Sequence, residues 1–418
     1  MKPLGPIPPG YGAQDGELAI AGLTASELVA RAGDTPLFVY SADLVARRVD
    51  RLRAVLPSRV ALHYAIKANP FKPILELFDN LVEGFDIASG GELALLEAVD
   101  IAPGRISFAG PGKRDDELAA AIAVGITLNL ESEAEATRAL AIADRLGRTP
   151  RLAIRVNPSF ELKGSGMKMG GGAKPFGLDA ERVPALARRL IAAGAEWRGF
   201  HIFAGSQALD AAALIETQAN TLALAAQLAE ASGAALPHCN LGGGFGIPYF
   251  PGDRPLEVEA VGVALGAALE AAPAVLAETR FCLELGRYLV GEAGVYLCRV
   301  IDRKESHGEV FLVTDGGLHH QLAASGNFGT VVRRNYPVAI ATRFEAAPVE
   351  DASVVGCLCT PLDRLADKAH LPRADVGDLV AVFCAGAYGA SASPAQFLGH
   401  GPAREIVVAG EGGSASIT

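Results

Sequence analysis

The chain has 418 residues, half of them hydrophobic and a fifth charged, with a net charge of −10. That length exceeds one ordinary core and points to two domains, while the acidic balance excludes nonspecific binding to nucleic acid or anionic membranes. No apolar run reaches the ~18 residues of a membrane span, and the six cysteines show neither a disulfide-framework spacing nor a paired C-x-x-C zinc pattern.

The opening MKPLGPIPPGYG lacks an apolar signal core and is rich in turn formers, so the expectation is a loose leader to a cytoplasmic protein. From about Thr35 to Leu285 two textures alternate. Short β-rich runs (LFVY, VALHYAI, VEGFDIA, RISFAG, ITLNL, RLAIRVN, RGFHIF, HCNLGG and FCLEL) are each followed by alanine- and leucine-rich stretches of helical periodicity. Repeated β–α units imply parallel strands with right-handed crossovers. Setting aside LFVY, which can belong elsewhere, eight strands remain, as in a (β/α)8 TIM barrel. A doubly wound open sheet is the alternative. The stretch KGSGMKMGGGAKPFG (163–177) interrupts the pattern after the fifth strand and reads as a mobile loop at the mouth. It lacks a GK[ST] ending and is not a nucleotide-binding P-loop.

Beyond residue 285 the chain becomes valine-rich with little helical pattern, in VGEAGVYLCRVIDRK, EVFLVTDGG, ASVVGCLC and GDLVAVFCAGAYG. The expected layout is an α/β barrel over 36–285 and an antiparallel C-terminal β domain over 286–418, which residues 1–35 join.

In such a barrel the C-terminal ends of the strands build the active site. The unusual polar residues fall there: Lys67, Asp86, Asn129, Arg155, His201 and Glu284, with Arg287 just beyond. Lys67 closes the apolar run HYAIKANP. A buried lysine loses its charge readily and its neutral amine can form a Schiff base, whereas a lysine beyond the strand end simply reaches water. The run GGGFG (242–246) lets backbone N–H groups approach an anion, with a following helix N-terminus expected to help. Ser206 of HIFAGSQ can add a hydroxyl. An amine, a phosphate cradle and a buried carboxylate are together what pyridoxal 5′-phosphate requires.

YAIKAN, GFDIASGGEL, HIFAGSQ, NLGGGFG, ELGRY, CTPLD and GAYGAS, in this order, resemble the motifs of the fold-type III pyridoxal-phosphate decarboxylases, the diaminopimelate, ornithine and arginine decarboxylase group with its alanine racemase-like barrel. HIFAGSQ and TDGGLHHQLAASGNFG further resemble the exosortase A system-associated subgroup. The resemblance implies a cytoplasmic homodimer with shared active sites. Lys67 would hold the cofactor, His201 would stack on its ring and Glu284 would pair with the ring nitrogen. Gly242, Gly243, Gly244, Ser206, Gly286, Arg287 and Tyr388 would serve the cofactor and its phosphate, with Asp86 and Arg155 around the ring. Cys359 would be the proton donor, delivered from the partner subunit.

The sequence departs from that family at informative places. Leu285 stands where its glutamate motif usually has proline. Thr360, followed by Pro361, stands where ornithine and diaminopimelate decarboxylases carry an acidic residue for a distal amino group. Asp363 lies three residues on, in a different register. Arg334 and Tyr336 of RRNYPV occupy the region of a substrate-binding arginine and tyrosine, with altered spacing. The substrate-contact set is therefore Arg287, Arg334, Tyr336, Thr360, Asp363 and Tyr388. The expected activity is decarboxylation of an amino acid or a derivative, free or tethered to a carrier protein. A racemase or epimerase, and a non-catalytic pyridoxal-phosphate carrier, are the alternatives. Cys357 and Cys359 with His319 and His320 are not read as a metal site.

Overall fold

The computed structural model describes residues 1–326, 334–410 and 416–417. The end of TDGGLHHQLAASGNFG, Arg333 of RRNYPV and most of the GEGGSAS tail lie outside them. Two compact units divide the chain: residues 49–246 with 256–286, and residues 1–48 with 247–255 and 287–418.

The first unit is built of strands β1 Val60–Ala65, β2 Gly84–Ile87, β3 Ile106–Phe108, β4 Thr127–Leu130, β5 Arg151–Asn157, β6 Glu196–Ile202, β7 His238–Asn240 and β8 Arg280–Leu285. Each pairs in parallel with the next. The sheet then closes, because β8 pairs with β1, setting Glu284 opposite His63. That last pairing excludes the open sheet and makes the unit a (β/α)8 barrel. The crossover helices are fixed locally. Ser89 and Ser132 each accept the backbone N–H three residues on, at 3.1 Å, while Gly125, Gly147 and Gly233 end their helices in left-handed conformation.

Barrel interiors are normally filled by branched side chains. Here Ala61, Ser107, Thr127 and Ala153 are small, and a cavity of about 320 Å³ lies among the N-terminal parts of the strands. Asn129 donates to Ser107 Oγ at 2.6 Å and lines this lower cavity. It does not line the mouth, because β4 is short and its side chains alternate: the residue nearer the mouth is Glu131, two positions later.

The second unit centres on Gly294–Ser306, antiparallel to Leu37–Ser41, Leu379–Val382 and Glu309–Thr314. The run LFVY thus belongs here. Leu18, Ile20 and Leu28 share a buried core with Val39, Val295, Leu297, Phe383 and Ile406, which ties the first 35 residues to this unit. The antiparallel expectation needs amending: Glu309–Thr314 runs parallel to Glu350–Val355, and Arg404–Val408 parallel to Leu37–Ser41. Long connections between those strands allow parallel pairing, and the sheet is mixed. No helix among the described residues is long and apolar enough to cross a membrane.

Candidate active site

At the C-terminal ends of the barrel strands a cavity of about 190 Å³ is lined by Lys67, Asp86, Arg155, His201 and Glu284, with Met169, Phe176 and Phe203. Five polar residues from five strand ends converge as the pattern predicts. Met169 and Phe176 come from the 163–177 stretch, where Met167–Lys168 pairs with Gly205–Ser206.

Lys67 sits in a single turn, Ile66–Ala68, directly after β1. Its side chain is 44% exposed and its Nζ lies 3.8 Å from Glu284 Oε1 and 5.7 Å from the centre of the Phe203 ring. The lysine is not sealed in the core. It opens into the cavity with a carboxylate beside it. Gly286 makes that turn possible, since a Cβ there would lie 2.9 Å from Ala68 Cβ and 3.1 Å from Ala65 O.

Glu284 is 6% exposed. His201 Nε2 donates to its Oε2 at 2.8 Å, and Asn240 Nδ2 lies at 3.4 Å. Burial would raise the Glu284 carboxyl. The hydrogen bond and charge of His201, with Lys67 and Arg155 beyond, outweigh burial and hold it well below the usual carboxylate range. A charged acid therefore faces the cavity. The other His201 nitrogen, Nδ1, is buried and has no hydrogen-bond partner among the described residues.

Two residues that no sequence pattern singled out hold the polar side chains of the cavity from outside its lining. His63, one strand position beneath the lysine motif, contacts Asp86 Oδ2 through Nδ1 at 3.1 Å. Burial would lower its pKa, but the charge and hydrogen bond of Asp86 raise it above the usual value. Asp86 Oδ1 is buried with no hydrogen-bond partner among the described residues. Gly84 leaves room for the imidazole, since a Cβ there would lie 2.4 Å from His63 Nε2. Glu131 takes Arg155 Nη1 at 2.9 Å and the N–H groups of Gly110 and Gly177 at 2.6 and 2.7 Å. Burial would raise the Glu131 carboxyl, and Arg155 and Lys113 bring it below its usual value. A signal for Glu131 existed, an acid one residue past a strand, and it was the signal that singled out Lys67.

The glycine run after β7 is required by packing. Gly242 and Gly244 have φ of 73° and 85°. A Cβ on Gly243 would lie 1.9 Å from Glu284 O, and one on Gly244 2.5 Å from Gly205 O. Asn240 Oδ1 accepts from Gly242 N at 2.8 Å. The expected helix N-terminus does not follow: the next helix begins at Val258, so the backbone N–H groups here are not joined by a helix dipole, and Ser206 lies on the adjoining short strand.

In the second unit, Arg287 Nη1 donates to Tyr249 Oη at 2.7 Å, and its guanidinium lies 4.6 Å from the centre of the Tyr388 ring. Tyr388 has φ of 54°, an uncommon conformation for an aromatic residue. Tyr336 packs 4.8 Å from the Tyr249 ring, and Arg334 lies 3.8 Å over Phe250. These residues form one cation–aromatic cluster. Cys359 is exposed, and Cys357 to Leu362 form a turn between two strands. Thr360 Oγ1 accepts from Leu362 N at 3.3 Å. Asp363 is 2% exposed and accepts from Leu318 N and Leu358 N at 2.7 and 2.9 Å. Its carboxylate is committed to the backbone, so the substrate role expected of it is corrected to a structural one.

The residues fit pyridoxal phosphate. An amine and an ionised acid face one cavity, Asp86 Oδ1 and His201 Nδ1 are buried polar atoms awaiting partners, and a glycine cradle abuts the same strand ends.

The family model described as "Pyridoxal-dependent decarboxylase, pyridoxal binding domain" matches residues 42–291. An L-glutamyl-[BtrI acyl-carrier protein] decarboxylase of Niallia circulans is 35% identical, the match covering 90% of this chain and 89% of that one. A diaminopimelate decarboxylase of Aquifex aeolicus is 32% identical over 90% and 87% of the two chains. The crystal structure of a diaminopimelate decarboxylase from M. jannaschii in complex with L-lysine superposes with a TM-score of 0.85 at 26% identity, covering 97% of this chain and 94% of that one.

Proposed function

The chain belongs to the pyridoxal-dependent decarboxylase family, and from that premise we propose that its substrate is an amino-acid derivative whose far end is an uncharged acyl group tethered to a carrier protein. The enzyme is a pyridoxal-phosphate-dependent carboxy-lyase acting on an amino acid or a derivative. The observation that carries the narrower reading is the Cys359 turn. Its one carboxylate, Asp363, is buried on two backbone N–H groups, and Thr360 is neutral, so the turn offers no charge to hold a distal ammonium. The relative that acts on L-glutamyl-[acyl-carrier protein] supports the same reading.

When bound, pyridoxal phosphate supplies an electron sink for the pair left on the substrate Cα as CO₂ departs. The chain's own residues set the stage. Lys67 Nζ would hold the cofactor, Glu284 would face its ring nitrogen, His201 keeps Glu284 ionised, and the backbone at Gly242–Gly244 with Ser206 would take the phosphate. Asp86 and Arg155 are held by His63 and Glu131 as orienting partners. Cys359 Sγ would return a proton to Cα. Because that thiol is exposed and the family resemblance places it on a partner subunit, the working form is a homodimer in which one copy's Cys359 serves the other's barrel.

Carbon dioxide release tests the substrate reading. An amino acid joined to a phosphopantetheine-loaded carrier protein through its distal carboxyl, with its α-amino and α-carboxyl groups free, should be consumed with higher kcat/KM than free diaminopimelate, ornithine or arginine. Preference for a free diamino acid would contradict it.

A further inference from the structure

His319 and His320 are adjacent, yet they are treated differently by the fold. His320 has both ring nitrogens engaged, Nδ1 with Tyr296 Oη at 3.0 Å and Nε2 with Gly401 O at 2.9 Å. It is a satisfied core histidine. His319 is fully buried, and among the described residues neither of its ring nitrogens has a hydrogen-bond partner. Buried unpaired polar atoms are rare and costly, and a bound ion relieves that cost.

His319 is not alone. One ligand atom each from His319, Cys357 and His400 lies within 4.8 Å of the others. Cys357 Sγ is 3.9 Å from both nitrogens of the His400 ring. Two imidazoles and a thiol are the donor set of zinc. With Zn–S of about 2.3 Å and Zn–N of about 2.0 Å, tetrahedral donors stand ~3.3–3.6 Å apart, so a bound ion would draw the three together by about an ångström. His400 is exposed and can make that move. The other two are braced from behind. Asp363 accepts from Leu318 N and Leu358 N, the residues next to His319 and Cys357. Gly317 and Gly356 let the carboxylate in, since a Cβ on either would lie 2.2 Å from it. One buried acid thus holds both ligand-bearing segments, as supporting residues do around metal centres.

We propose that His319, Cys357 and His400 bind one zinc ion, leaving a fourth position for water, and that the ion fixes the turn carrying Cys359. The linear sequence hides this set, because its three members lie 38 and 43 residues apart and His320, the more obvious partner of His319, is spent elsewhere. The site lies wholly in the second unit and stands apart from the reading of the substrate.

Cobalt is the probe. Tag-free holoenzyme, stripped with chelator, is titrated with Co²⁺. The expected result is one Co²⁺ per chain with tetrahedral visible bands and a sulfur-to-cobalt charge-transfer band. Cys357→Ser should remove the charge-transfer band and Cys359→Ser should retain it. His400→Ala, at an exposed side chain, should weaken cobalt binding by about 10-fold or more, since losing even a supporting partner costs about that much. Absence of a stoichiometric cobalt spectrum would overturn the proposal. So would a spectrum that survives both Cys357→Ser and His400→Ala, or one abolished by Cys359→Ser.

Discussion

Lys67 Nζ stands 3.8 Å from Glu284 Oε1, an amine and an acid delivered to one cavity by the first and last strands of a closed barrel. Closure makes them neighbours. Separated by more than two hundred residues, they meet because β8 pairs with β1, and Glu284 is there directly opposite His63, four residues before the lysine.

Glu284→Gln keeps the shape and removes the charge. Loss of one preorganised electrostatic partner costs about 10²–10³ in kcat, and that drop is expected with cofactor still bound. In the wild type the depressed carboxyl also contributes stability that is present above its unfolded value of about 4.3 and is lost as pH falls through its lower folded value. Acid unfolding curves should therefore converge for the two proteins at low pH. A divergence would contradict the assignment.

Gly243→Ala places a methyl group 1.9 Å from the Glu284 carbonyl oxygen. The β7 and β8 strand ends must separate. Overpacking of this kind costs about 1–3 kcal/mol, and cofactor affinity should fall with it. Denaturation midpoints and cofactor titration measure both. Unchanged values would show that the run is an ordinary turn.

His63→Gln tests the pair beneath the site. Because Asp86 raises the pKa of His63, the pair's contribution is fully present below about pH 6.5, the unfolded value, and is lost as pH rises through the higher folded value. The stability difference between wild type and variant should shrink as pH rises from about 6.5 through the higher folded value, read from urea midpoints. A constant difference would mean the contact is packing alone.

Much of the fold and the site is legible in the sequence. The barrel can be read because every β–α unit carries its own period, and Lys67, Asp86, Arg155, His201 and Glu284 because charge at the end of an apolar strand is conspicuous. What escapes is relational. His63 looks like a strand residue until Asp86 is beside it, and Glu131 like a surface acid until Arg155 turns toward it. Asn129 is misplaced because a strand of four residues fixes a rim position poorly. LFVY cannot be assigned from its own residues, since its partners lie at 294–297 and 404–408. Asp363 misleads because spacing in a motif says nothing about burial.

Asp363→Ala separates a structural carboxylate from a substrate contact. Two buried N–H groups lose their acceptor, at about 1–3 kcal/mol each, so the melting temperature should fall while the ratio of kcat/KM values among substrates stays constant. A stable variant with altered substrate preference would return Asp363 to the substrate.

Lys67 as the residue that carries the cofactor is open to a direct chemical test. Holoenzyme is reduced with borohydride, digested, and its peptides are mapped by mass spectrometry for the pyridoxyl group. The expected result is one modified peptide, bearing the mass increment on Lys67 of HYAIKANP. A pyridoxyl group on Lys113 or any other lysine, with Lys67 unmodified, would contradict that role.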